Sequence, residues 1–223
     1  MSIWTFSRTI AALAFGAVLS GCLEVPDLAT PKFGVSLRTA PQTIAVANRS
    51  VMIGGPSGYC VDRTVSKLGG DSAFVVLASC SSITRDPSLS PPGAYGLLTA
   101  SVAKEAGGGT GLLADPEVLE RFLASQAARA ALARDARAGS VTILDLVRQE
   151  DAMMIRLRDT SQSELVGVDD VYWRGLTDVN GRLVTIAVVS FAERPLGAEV
   201  GLATLRAFLA RIRAETSAQV AES

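Results

Sequence analysis

The chain contains no histidine. Its absence removes Ser-His-Asp and Cys-His catalysis, histidine-ligated zinc and the commonest general base near neutral pH. There is also no Cys-x-x-Cys pair, so a dithiol redox motif or a soft metal site has little to be built from. Charge is balanced rather than one-sided, with 21 Lys+Arg against 22 Asp+Glu and a net charge of -1. Nucleic acid requires clustered cationic side chains, and no basic run is present, so that partner is excluded. Lysine is scarce beside arginine, and alanine is abundant, a bias that reads as high-GC genome composition and carries no function. Past the N-terminus no apolar run approaches the ~20 residues of a membrane-spanning helix; the longest, residues 73–78 and 184–189, are strand-sized. No internal repeat is present.

The N-terminus has the order of an export signal. Residues 1–8 hold one basic side chain, Arg8, and no acid, and residues 9–18 are almost unbroken apolar. That h-region is too short to span a bilayer as a stable helix. Leu19-Ser20-Gly21-Cys22 follows and resembles the lipobox of bacterial lipoproteins. The resemblance implies diacylglycerol on the Cys22 thiol, cleavage just before it and palmitate-type acyl chains as the anchor. Two or more such chains hold a protein firmly to a membrane, where one holds it only marginally. Leu23 stands where an aspartate would imply inner-membrane retention, so the outer membrane is favoured, with the domain on the periplasmic side. Residues 1–21 are then the signal peptide, and roughly 200 residues remain, enough for one well-buried domain.

With Cys22 lipidated, Cys60 and Cys80 are an even pair in a compartment that permits disulfides. A bridge over a loop of about 20 residues is worth roughly 3 kcal/mol in the chain-entropy account. Two buried thiols, or a redox-active pair, are the other readings.

Residues 22–43 read as a lipid-anchored tether, broken by Pro26, Pro31 and Pro41. Residues 44–215 read as a single α+β domain and 216–223 as a frayed tail. Within the domain, residues 44–53 read as a strand interrupted at 48–50, residues 54–58 as a turn, and residues 73–80 as a strand buried on both faces. A loop over 81–93, a strand over 95–102 and a glycine-rich connection over 105–111 follow. Asp115 with Pro116 and Glu117 behind it opens a helix that the alanine-rich sequence carries to about Ala138, where Gly139 stops it. Residues 141–147 and 153–157 read as a hairpin. The strongest local signal is Asn180-Gly181 between two alternating runs, residues 170–179 and 182–191, which predicts a type I′ hairpin. Residues 200–212 place their apolar side chains on one helical face. Hairpin-length links predict an antiparallel sheet with packed helices.

Few residues are candidates for chemistry. Residues 55–59 superficially suggest a nucleophile elbow, but the second glycine comes one residue early. The glycines at 107–109 and 111 lack the Lys-Ser/Thr of a phosphate loop. Asp169, Asp170 and Asp178 are candidates for a hard cation, against which stands the absence of an EF-hand pattern; solvated strand charges are the plainer reading. Tyr172-Trp173-Arg174 contains the residue types of binding hot spots. Strand alternation puts Trp173 on one face, in the core, and Tyr172 and Arg174 together on the other, as a surface pair or a recognition patch. No residue is assigned to catalysis or to a metal, and no cofactor is implied.

Gly58-Tyr59-Cys60-Val61-Asp62, residues 74–80, the Tyr172-Trp173-Arg174 hairpin and the terminal helix together resemble small envelope lipoproteins of alphaproteobacteria. The element order is similar to the Mog1/PsbP-type sandwich, an antiparallel sheet between helices. Neither resemblance carries a catalytic residue, and both imply an accessory or binding role. Two functions are therefore expected to compete: a non-catalytic, lipid-anchored protein that binds or scaffolds an envelope partner, and a periplasmic hydrolase using paired carboxylates.

Overall fold

The central hairpin is built where the sequence is most explicit. Asn180 and Gly181 adopt φ of 53° and 75°, the positive values a type I′ turn needs, and join β8 (Val168–Val179) to β9 (Arg182–Phe191). The Asp178 carboxylate accepts the Gly181 N–H at 2.9 Å and fixes the turn. These are features of a computed structural model that describes residues 39–104, 115–149 and 151–222.

Around that hairpin lies one antiparallel sheet in the order β3-β4-β5-β9-β8-β7-β6. The other strands are β3 (Tyr59–Val61), β4 (Ala73–Ser79), β5 (Gly96–Val102), β6 (Val141–Gln149) and β7 (Ala152–Asp159). A separate hairpin, β1 (Thr43–Val46) with β2 (Val51–Gly54), stands outside it. The fold is α+β, as the hairpin-length links predict.

Both faces of the sheet are covered, which explains why both alternating sets of β9 are apolar. Val184, Ile186 and Val188 point to one core with Leu77, Leu98, Trp173 and Met154. That core is closed by the β1–β2 hairpin and by α4 (Ala198–Ala221), through Leu205, Phe208, Leu209 and Ile212. Ala187 and Val189 point to a second core with Met153, Ile155, Leu157 and Tyr172. Two short helices, α2 (Pro116–Leu123) and α3 (Gln126–Leu132), cover it with Leu119, Leu123, Ala128 and Leu132. Each fully buried Leu or Phe contributes about 1.5–3 kcal/mol.

Trp173 locks α4 to the sheet. Its indole N–H donates to the Ala198 carbonyl at 2.9 Å, and its ring lies so close to Gly201 that a Cβ there would sit 2.7 Å from Cδ1. Only glycine allows that approach.

Several boundaries differ from the sequence expectation. Residues 44–53 form two strands rather than one, because Ala47, Asn48 and Arg49 all take positive φ and reverse the chain. Cys80 opens a short helix, α1 (Cys80–Thr84), in place of the expected loop. The single helix expected over 115–138 is two. Asp115 caps the first, accepting the N–H groups of Glu117 and Val118, and Ser125 caps the second, accepting that of Ala128; a mid-sequence serine that can cap favours a restart over continuation. Residues 216–221 are helical, not a frayed tail: Thr216 is buried and its hydroxyl accepts the Met52 N–H at 3.0 Å. At the other end the tether is tied in before residue 43, where the Val61 N–H donates to the Pro41 carbonyl. The glycine-rich connection lies outside the described residues.

Candidate functional site

Tyr172 and Arg174 share one face of β8, as alternation requires, and Trp173 takes the other. They are not a surface pair, however. Tyr172 is 5% exposed, because α2 and α3 cover that side, and Arg174 is half-buried beside it. Sequence alternation assigns faces but does not say what lies above a face.

The pair is built into a network. Arg174 Nη1 donates to the Leu132 carbonyl at 2.8 Å, satisfying the end of α3, and Nη2 donates to the Tyr172 hydroxyl at 3.1 Å. Cations suit a helix C-terminus, where carbonyls lack intrahelical partners. Arg174 Nε is buried without a hydrogen-bond partner. Among the described residues no carboxylate lies within ion-pair distance of this guanidinium.

A second arginine joins it. Arg134, just past α3, sits with its guanidinium 5.0 Å from the Tyr172 ring centroid, and Arg174 lies at 5.5 Å. Both distances are within cation–π range. Arg134 is positioned by Asp159, the last residue of β7, whose side chain is fully buried. Asp159 Oδ2 accepts the Arg134 backbone N–H at 3.0 Å and lies 3.7 Å from its Nε. Oδ1 accepts the Ser161 N–H at 3.0 Å and the Ser161 hydroxyl. Arg134 Nη1 in turn donates to the Ser161 carbonyl at 3.1 Å. A buried carboxylate with its lone pairs occupied is stable only as part of such a set. Burial pushes the Tyr172 hydroxyl up from its ordinary pKa, and the two neighbouring guanidinium groups pull the other way.

These groups edge a cavity of about 340 Å³. Its floor is the sheet face at Phe74, Thr99, Ala187 and Val189, and its rim is the loop after β7, with Gln162, Ser163, Glu164 and Leu165. Larger hollows beside Leu146 and beside Val220, about 430 and 480 Å³, are open surface clefts by comparison. The Tyr172 cavity combines an apolar floor, cationic groups at one end and a polar rim, the usual make-up of a small-molecule site.

The other candidates fall elsewhere. Cys60 and Cys80 form a disulfide with Cα atoms 4.8 Å apart, and both residues are buried. The bridge ties β3 to the start of α1 and has no open access. Asp169 and Asp178 stand at opposite ends of β8, committed respectively to the Val171 N–H and the Gly181 N–H. Asp170 is exposed, so the three do not converge on a cation. Among the described residues no group of three or more metal-ligating side chains forms a cluster. Cys22 lies outside the described residues.

Arg134, Asp159 and the rim loop carried no signal in the sequence. Arg134 is one arginine in an alanine- and arginine-rich stretch, and Asp159 is a single acid after a strand. Only the pairing of β7 with β8 and the end of α3 bring them together. Set against protein families, curated proteins and solved structures, the chain finds no match in any of the three.

Proposed function

We propose that the chain is a lipid-anchored protein of the bacterial cell envelope, held through Cys22 with its domain on the periplasmic side, which binds or scaffolds a partner and does not transform it. The outer membrane is the favoured site, on the strength of Leu23. The observation that carries the binding half is the convergence of Tyr172, Arg174 and Arg134 on one cavity, residue types that dominate recognition sites. The carboxylate-hydrolase reading has less support: paired-acid hydrolysis needs two carboxyl groups facing one substrate, and among the described residues that line this cavity Glu164 is the single acid. The anchor half is supported by the order of Arg8, the apolar h-region and Leu19-Ser20-Gly21-Cys22.

Both halves are open to test in cells. Cys22→Ser should abolish labelling by radioactive palmitate and leave an unprocessed precursor; a variant still cut at the same bond and released in soluble form contradicts the anchor. A photo-crosslinking residue at Gln162, on the cavity rim, should give a specific adduct that disappears with Arg174→Gln. An adduct insensitive to that change contradicts a role for the cavity in binding.

A further inference from the structure

We infer that the cavity beside Tyr172 is a site for a small organic monocarboxylate, one with a short apolar body. The inference rests on the binding reading of this face and is independent of the lipid anchor.

Charge is the first reason. Arg134 has a fixed counter-ion in Asp159. Arg174 has none among the described residues; its Nη atoms reach two neutral oxygens, and its Nε reaches nothing. A guanidinium drawn partly out of water is costly until an anion compensates it. Glu164 does not supply that charge, because it stands exposed on the rim, where solvent screens it. Among the described residues one positive charge at the cavity end has no counter-ion, which matches a monoanion, and a planar guanidinium matches a carboxylate best.

Shape is the second. A cavity of about 340 Å³ lies at the small end of ligand pockets, which run from about 300 to 1,000 Å³, and so suits a small ligand rather than a long chain. Phe74, Ala187, Val189 and Leu165 offer an apolar body dry contact, while Thr99, Ser163 and Gln162 supply neutral polar groups. Tyr172 acts as a positioning residue: its hydroxyl accepts from Arg174, and both guanidinium groups are held against its ring.

The test uses the full chain purified in detergent and calorimetric titration with cinnamate, nonanoate, the neutral isostere cinnamamide, and inorganic phosphate. Cinnamate or nonanoate should bind, with cinnamamide at least tenfold weaker than cinnamate. Arg174→Gln should weaken the carboxylate at least tenfold and leave cinnamamide within twofold. Because Arg174 also secures the end of α3, Arg134→Gln and Thr99→Phe serve as further variants. The first should weaken carboxylate binding, and the second should fill the cavity and abolish binding with both arginines intact. Equal binding of cinnamate and cinnamamide, competition by phosphate at equal concentration, or no binding by either carboxylate overturns the inference. If neither carboxylate binds while Arg174→Gln still removes the crosslink from Gln162, the ligand class is wrong and the binding reading stands. If Arg174→Gln changes neither the titrations nor the crosslink, both fail.

Discussion

Tyr59 and Tyr172 are the two phenols that the fold withdraws from water, and the withdrawal sets a pH dependence. Burial pushes the Tyr59 hydroxyl up to about 12, while its O–H donates to the Ala94 carbonyl at 2.7 Å. In the unfolded chain the same group loses its proton near pH 10. Between those values the unfolded state binds fewer protons than the folded one, so stability falls as pH rises. The contribution is intact below pH 10 and lost by about pH 12, an effect of at most roughly 3 kcal/mol for a two-unit shift. Tyr172 adds in the same direction. Urea unfolding at pH 8 and pH 11 should show about half of this loss, since pH 11 lies midway between the two values, and Tyr59→Phe should reduce it; identical losses in the two proteins would refute the assignment. At this scale the sequence was informative where a residue's role follows from alternation, as for Trp173 in the core. It was silent where the role depends on a distant element. The burial of Tyr172 comes from helices some forty to fifty positions earlier in the chain, and the counter-ion of Arg134 comes from the far end of β7.

Secondary-structure elements were legible in proportion to how local their causes are. The β8–β9 turn is fixed by two adjacent residues, and the hairpin stands where Asn180-Gly181 places it. The sequence over 115–138 reads as one helix because alanine favours helix everywhere and hides a restart; the hydroxyl of Ser125, which accepts the Ala128 N–H, is the one local sign of it and is easily lost in so alanine-rich a stretch. The Cys60–Cys80 bridge lies between these cases. Compartment and pairing arithmetic pointed to it, and the pairing of β3 with β4 supplies the geometry, with Tyr59 opposite Ser79 and Cys60 opposite Ala78. A bridge closing a loop of 20 residues should stabilise by about 2–4 kcal/mol. Reduction should therefore lower the urea midpoint without unfolding the protein, since β3 is one short edge strand of a seven-stranded sheet. Thiol counting under denaturing, non-reducing conditions should find neither Cys60 nor Cys80 reactive. Two reactive thiols there, or complete unfolding on reduction, would contradict this account.

At the scale of the whole molecule, one sheet serves two cores of unequal strength. The α4 side is closed by a helix of 24 residues and the β1–β2 hairpin, with Leu205, Phe208 and Ile212 wholly buried. The other side is closed by helices of eight and seven residues, too short to persist alone, since isolated helices below about 12 residues are marginal in water. They are retained by four buried side chains and by the arginine set at the end of α3. Cooperative units of different stability are common within one domain, and ligand sites are drawn from the weaker ones. We therefore expect the α2–α3 cover to open before the sheet does. Native-state hydrogen exchange should show residues 116–132 exchanging at a lower opening free energy than β5, β9 and α4. Leu123→Ala, which empties a fully buried position under α2, should speed exchange of residues 116–132 far more than that of β5 or α4, at a cost of about 2–5 kcal/mol to the cover. Phe208→Ala, in the opposite core, should instead lower protection across the sheet and α4 together. The cation–π contacts of Tyr172 link the cover to the cavity, so a carboxylate seated between Arg134 and Arg174 should slow exchange in residues 116–132 and leave α4 unchanged. Uniform protection across the domain, or an equal response of both faces to Leu123→Ala, would mean that the two cores open as one and that the cavity is no softer than the rest.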